Sequence, residues 1–205
     1  MSVNPVTQPV LDAIANRWSP YRFDGRGVEI EKLHACFEAA RWAASSYNEQ
    51  PWSFLVAHRD DSSEFARMLG CLLEANQAWA EHAGVLVLTV THSSFQRNGK
   101  PNRVAQHDLG QAVAHFALQA ASLGLQVHQM AGVNLSKVRQ EYAVPEGFEP
   151  QTAIALGYPD PNDPDDELGQ ELKKRESGPR TRVGLNDQVF TGKWGNPSGL
   201  PEGRG

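Results

Sequence analysis

The sequence predicts an α+β fold in which one mixed or antiparallel central sheet is flanked by helices. Helical and strand patterns alternate along the 205 residues without the regular order of a doubly wound sheet. No Gly-x-Gly-x-x-Gly motif follows a strand, which argues against a dinucleotide-binding Rossmann domain. The branched apolar run at residues 85–90 has strand length, so we expect a central strand buried on both faces.

Hydrophobic periodicity predicts the remaining elements. Apolar residues at helical spacing predict helices at residues 9–16, 29–43, 60–73, 103–123 and 136–142. Short apolar runs predict strands at residues 54–58, 85–90, 125–130 and 152–158. In the first two helices we expect the apolar residues Val10, Leu11, Ile14, Ile30 and Leu33 to face inward.

The predicted helix at residues 103–123 is the longest in the chain and has an apolar stripe that includes Leu109 and Phe116. Its alanines and Gly110 leave room for close approach of another backbone, such as a second copy of the same helix. Asp108 is expected at the solvated edge of this helix.

The C-terminal part differs in composition. Residues 159–176 are acidic and proline-rich with almost no large apolar side chains, which predicts a surface arm outside the core, extending to about residue 182. Residues 192–205 are rich in glycine and proline and are expected to form a flexible tail. We interpret residues 1–205 as one domain.

Charge and composition exclude several classes of protein. The net charge of −5 and the absence of a basic stripe argue against nucleic-acid binding. No run is long enough to span a membrane, and the N-terminus lacks a signal-peptide pattern, so a cytoplasmic location is expected. Cys36 and Cys71 are expected to be buried, reduced thiols.

The end of the second predicted helix carries a run of small polar side chains. Ser45, Ser46 and Asn48 precede Pro51 and Trp52, which lead into a strand. A polar shelf beside an apolar wall suits a flat ligand rich in heteroatoms. The same residue types also end helices and form turns, so both interpretations stay open.

Two other motifs combine cations with hydroxyl or backbone donors. Arg17-x-Ser19 and Arg180-x-Arg182 are suited to a phosphate group, although surface arginines give the same pattern. Asn76 is explained equally by helix capping. The Ala131–Gly132 pair after a strand could offer a backbone N–H to a ligand, or form a plain turn.

The sequence contains no motif that identifies a side chain as a general acid, a general base or a nucleophile. The histidines show no metal-ligand spacing, no Gly-x-Ser-x-Gly is present, and neither cysteine has a convincing base. We therefore assign no catalytic residue and no metal site.

In their order along the chain, these motifs resemble the FMN-dependent nitroreductase family from about residue 14 to about residue 194. Residues 43–52 are similar to the family's Pro-Ser-x-x-Asn-x-Gln-Pro-Trp block, the most specific match. Residues 17–23 are similar to its Arg-Arg-Ser-x-Arg-x-Phe opening, and residues 108–125 to its central dimer helix.

The resemblance implies a homodimer with two FMN sites at the interface, each lined by both chains. It implies that NAD(P)H reduces the flavin, which then reduces a nitroaromatic, a quinone or a related small acceptor in a ping-pong cycle. The cofactor-binding residues that it implies are Arg17, Trp18, Ser19, Tyr21, Ser45, Ser46, Asn48, Asn76, Met130, Ala131, Gly132, Arg180 and Arg182. The alternatives are a specialised relative (a dehydrogenase, a dehalogenase or a flavin-consuming enzyme), a non-catalytic flavin-binding protein, and a structural dimer without cofactor.

The chain departs from the family pattern at several positions. Trp18 replaces the second arginine of the opening, Tyr21 a basic residue, Ala44 a proline, and Trp79 a lysine. Two positive charges near the flavin N1/C2 edge are then missing, which predicts a lower midpoint potential unless Arg22 or another basic residue compensates.

Overall fold

The computed structural model describes residues 4–200. Its four strands, β1 (Trp52–His58), β2 (Val85–His92), β3 (Gln126–Met130) and β4 (Phe148–Gly157), form one sheet in the order β1-β2-β4-β3. Every pair of neighbouring strands is antiparallel. Of the two kinds of sheet that the sequence allowed, the antiparallel one is present. β2 lies inside the sheet and is almost wholly buried, as predicted.

Seven α-helices cover the sheet in the described residues. They are α1 (Asp12–Asn16), α2 (Ile30–Arg41), α3 (Ser62–Leu69), α4 (Glu74–Ala80), α5 (Ala105–Ser122), α6 (Leu135–Glu141) and α7 (Glu167–Glu176). None of these helices is long and apolar enough to cross a bilayer.

The sheet has a hydrophobic core on each face because successive strand residues point to opposite sides. Leu86 and Leu88 of β2 belong to the core that includes residues of α3, α4, α6 and α7. Val85 and Val87 belong to the other core, which α2 and α5 cover. Both cysteines are buried and free, as predicted.

The predicted helix at residues 60–73 is wrong in its last four residues. The Asp61 side chain caps the N-terminus of α3 by accepting from Glu64 N, but the helix ends at Leu69 and a separate helix follows. The break is held in place by Leu73, whose backbone N–H donates to Gly132 O at 2.9 Å. The start of α4 is thereby tied to the turn that follows β3.

The prediction that residues 159–176 form a surface arm outside the core is wrong at Leu172, since the other residues of this segment are at least partly exposed. The segment contains α7, and its Leu172 is 6% exposed within the core beside α3 and α4. The Asp166 side chain caps this helix by accepting from Gly169 N. The sequence signal for this helix is limited to one buried apolar residue and one capping residue. Neither is apparent from the acidic average composition of the segment.

The inward orientation predicted for Val10, Leu11, Ile14 and Ile30 is wrong for the single chain. Leu11 is 69% and Ile30 65% exposed. α1 is only five residues long and buries none of its side chains. Its apolar residues therefore remain uncovered.

Candidate functional site

Three arginines from opposite ends of the chain converge beside α1. Arg17 follows α1, and its Nη2 donates to Ser19 Oγ at 3.0 Å. Arg180 reaches the same place from the C-terminal segment, where its Nη1 donates to Arg17 O at 3.0 Å. Arg182 lies close enough to lower the pKa of both Arg17 and Arg180 by charge repulsion.

These arginines surround a surface cavity of about 290 Å³, which Trp18, Ser19 and Tyr21 also line. Burial is the largest cause of the lowered pKa of Arg17 and of Arg180, and repulsion between the cations adds to it. Within residues 4–200, none of the three arginines is paired with a carboxylate. Their arrangement is electrostatically incomplete and favours an anion.

Trp18 lines this cavity, and a hydrogen bond from its backbone N–H fixes its position. Its N–H donates to Gln126 Oε1 at 3.0 Å, which joins the opening segment to the start of β3. The Arg180 guanidinium lies 5.6 Å from the centre of the indole ring. The indole Nε1 is buried and has no hydrogen-bond partner among the described residues, so it is a free donor.

Glu176 also lines the cavity, but its carboxylate is already bound. Oε2 accepts from Tyr21 N at 3.0 Å, and Oε1 lies 3.6 Å from Arg22. Arg22 is buried and also pairs with Asp160 at 2.9 Å. Arg22 therefore holds the segment after β4 through its ion pairs. It does not supply the unpaired positive charge that would compensate for the missing cations at positions 21 and 79.

Tyr21 and Trp79, two of the departures from the family pattern, contact each other. Their ring centroids are 5.3 Å apart in an edge-on arrangement, and His128 of β3 lies 4.6 Å from Tyr21 and 4.5 Å from Trp79. Trp79 is only 2% exposed and belongs to the core. The two replacements thus form one aromatic cluster together with His128.

Asn76 and Gly132 meet at the other end of β3. Asn76 Nδ2 donates to Gly132 O at 3.1 Å, and a Cβ added to Gly132 would lie 2.4 Å from that nitrogen. Asn76 lies inside α4 and does not cap it, which corrects the capping alternative. Met130 is buried just before this turn, whereas Ala131 is exposed.

The polar turn after α2 has unusual backbone geometry. Tyr47, Asn48 and Gln50 have φ angles of 55°, 56° and 50°, a left-handed region that residues with a Cβ seldom adopt. Ser45 Oγ accepts from Gln50 N, and Gln50 Nε2 donates to Asn48 O, both at 3.0 Å. Such locally strained conformations concentrate at functional sites.

Asp108 fixes this turn to α5. Ser46 N donates to Asp108 Oδ2 at 3.0 Å, and Asp108 is 2% exposed. Its predicted place on a solvated edge is wrong. The position of Asp108 four residues before the buried Ala112 could have revealed its inward orientation.

The polar turn and the arginines lie at different ends of α5 in one chain. The turn is bound near the first residues of the helix, whereas the opening segment is bound to Gln126, four residues after the helix ends. From Asp108 to Ser122 the helix extends roughly 20 Å at 1.5 Å per residue. The structure therefore brings Arg17, Ser19, Arg180 and Arg182 together, but does not bring Ser45, Ser46 or Asn48 to them within one chain.

Comparison with known proteins assigns the chain to a family. A model described as the nitroreductase family matches residues 14–89 and 71–158. The chain belongs to the nitroreductase family. The motifs at residues 17–23 and 43–52 lie within the matched region, and the resemblance that they suggested is confirmed.

Individual relatives agree with this membership of the nitroreductase family. An uncharacterized 15.4 kDa protein of Mycolicibacterium smegmatis is 33% identical over 150 residues, covering 70% of this chain and 98% of its own. The major NAD(P)H-flavin oxidoreductase of Aliivibrio fischeri is 25% identical over 202 residues, covering 77% of this chain and 91% of its own. The crystal structure of an oxidoreductase containing FMN is 32% identical with a TM-score of 0.83, covering 93% of this chain and 96% of that one.

Proposed function

We propose that this protein is an FMN-dependent oxidoreductase that takes a hydride from NAD(P)H and reduces a nitroaromatic, a quinone or a related small acceptor by a ping-pong mechanism. The observation that carries the proposal is the cluster of Arg17, Arg180 and Arg182, which lacks carboxylate partners within the described residues and encloses a cavity. Similarity to an NAD(P)H-flavin oxidoreductase and to an FMN-containing oxidoreductase supports it.

The residues around β3 fit the two ends of FMN. The arginines and Ser19 supply cations and a hydroxyl for the phosphate. At the other end, the missing Cβ of Gly132 makes room for the Asn76 side chain, which holds an amide beside the turn where the flat ring would lie. Bound FMN would accept and release the hydride, and the protein would position it.

We propose that each site is completed by a partner subunit. Ser45, Ser46 and Asn48 would line the cavity that the partner's arginines form, since they lie too far from the arginines of their own chain. Large exposed rings flank this turn, with Trp42 and Tyr47 both 73% exposed. Their burial between subunits would stabilise a homodimer.

Small residues on α5 fit the same dimer. Gly110 and Ala114 are exposed one helical turn apart, and a Cβ added to Gly110 would contact nothing within 4 Å. Such a face lets a second helix approach closely. Beyond α7, the exposed Val183, Leu185 and Trp194 offer apolar contacts for an arm that embraces the partner.

The aromatic cluster supports a low midpoint potential for the bound FMN. Tyr21 and Trp79 bring no positive charge to the pyrimidine edge, and Arg22 is engaged in ion pairs. A lysine at position 79 would be buried in the core, so Tyr21→Arg is the cleaner test. A potential that does not rise in Tyr21→Arg contradicts the missing-charge explanation.

The absorbance spectrum of the purified protein tests the function first. We expect a yellow protein, or a colourless one that FMN stabilises against heat. Anaerobic mixing of the holoprotein with NADH and with NADPH should then bleach the flavin. Bound flavin that neither nucleotide bleaches would favour a non-catalytic flavin-binding protein, and a protein that does not bind FMN would contradict the proposal.

A further inference from the structure

His128 holds a half-buried imidazole in a defined orientation. Its Nδ1 lies 2.8 Å from Pro20 O, so Nδ1 carries the proton and donates to that carbonyl. The ring is enclosed by Tyr21 and Trp79, at centroid distances of 4.6 Å and 4.5 Å. In residues 4–200, Nε2 has no hydrogen-bond partner, which leaves a lone pair able to accept a proton.

The position of His128 on β3 places it between the two halves of the proposed FMN site. Gln126, His128 and Met130 alternate along β3 and therefore share one face of the sheet. Gln126 holds Trp18 at the arginine cavity, and Met130 leads into the Gly132 turn. A cofactor that reaches from the arginines to Gly132 passes the imidazole.

The charges that face His128 come from the opening segment. Arg17 is close enough to act on the imidazole by repulsion, and Tyr21 presents a phenol ring. α4 contributes the uncharged Trp79, and the paired residue on β4 is Ala155. From α7, the carboxylate of Glu176 binds the backbone N–H of Tyr21.

We infer that Nε2 of His128 takes up a proton when the bound cofactor is reduced, so that an imidazolium replaces the fixed cation missing from this edge. The inference rests on the proposed function. The hydride from NAD(P)H delivers two electrons and one proton, which leaves one added negative charge on the site. One proton from solvent moves to Nε2 and neutralises it.

The electrostatics agree with a neutral resting state. Burial and the charge of Arg17 lower the pKa of His128, against the opposing effect of the Pro20 carbonyl. Burial and the Arg17 charge thus both favour the uncharged imidazole before reduction. A new negative charge nearby favours the charged form and raises the same pKa.

The direct test follows the pKa of His128 by NMR in the FMN holoprotein, oxidised and then reduced under anaerobic conditions. We expect the pKa to rise on reduction by at least one pH unit, equivalent to a tenfold or greater change in proton affinity. The ring signals of the exposed His82, which follows α4, are the control and should be the same in both states. An unchanged pKa for His128 would overturn the inference.

A second measurement uses the pH dependence of the midpoint potential. Between the His128 pKa of the oxidised protein and that of the reduced protein, the wild-type slope should approach twice that of His128→Phe. The variant keeps an aromatic ring but loses Nε2. His82→Gln should retain the wild-type slope.

The two proposals fail in different ways. Equal slopes in wild type and His128→Phe, with FMN bound in both, would overturn the role of His128 alone. A wild-type protein that does not bind FMN would overturn the proposed function, and this inference with it.

Discussion

Replacing Arg182 with alanine tests whether the arginine cluster is a phosphate site. Arg182 is exposed, and among residues 4–200 its Nη1 donates to the adjacent Thr181 O alone, at 2.7 Å, so its loss should not disturb the fold. A hydrogen bond to a charged group contributes about 1.5–3 kcal/mol. Exposure places Arg182 near the lower end, and a loss of about 1.5–2 kcal/mol weakens binding about 10- to 30-fold.

The assay is titration of the apoprotein with FMN and, separately, with riboflavin, which lacks the phosphate. Arg182→Ala should weaken FMN binding and leave riboflavin binding nearly unchanged. Lys174→Ala removes the same charge from the exposed side of α7 and should leave both affinities unchanged. Equal losses for FMN and riboflavin, or no loss for FMN, would refute the assignment of the cavity to a phosphate.

Three further predictions concern the core, the Gly132 turn and the cysteines. In a denaturant titration, Leu172→Ala should lower the free energy of unfolding by about 2–5 kcal/mol, because α7 packs on the core through this side chain. The control is Leu168→Ala, whose side chain is 45% exposed, and it should change the free energy of unfolding by roughly 0.5 kcal/mol or less. Gly132→Ala should displace Asn76, because its Nδ2 would lie 2.4 Å from the new Cβ, and should thereby weaken FMN binding. A titration followed by flavin fluorescence measures the affinity, and an unchanged affinity would place the flavin elsewhere. Burial raises the pKa of Cys36 to about 12, so its thiol should resist a thiol reagent at neutral pH until the protein is unfolded, and rapid labelling of the native protein would contradict this burial.

Periodicity and residue type predicted much of the fold because several elements have strong local sequence patterns. The branched run in β2 has no competing interpretation, and the stripe of α5 continues over five turns. By contrast, α7 has a single buried leucine and a capping aspartate, and α4 begins where a tertiary hydrogen bond to Gly132 interrupts the helical pattern. Such features depend on distant partners, which a local window does not contain.

The candidate site shows the same division. The arginine motifs were visible as residue pairs, but the convergence of Arg17 with Arg180, 163 residues apart, needed the fold. His128, Asp108 and Glu176 were missed as site residues because each acts through contacts with a remote segment. The spacing of Asp108 from Ala112 was the one local signal available.

The most direct test of the composite site is FMN binding by a mixed dimer. One chain carries Arg17→Ala and Arg182→Ala; the other carries Ser45→Ala and Asn48→Gly, where glycine accepts the left-handed backbone. If arginines of one subunit and the polar turn of the other form each site, both parent homodimers should bind FMN weakly, and the heterodimer should regain one tight site. A heterodimer with no tight site would show that each FMN is bound within a single chain.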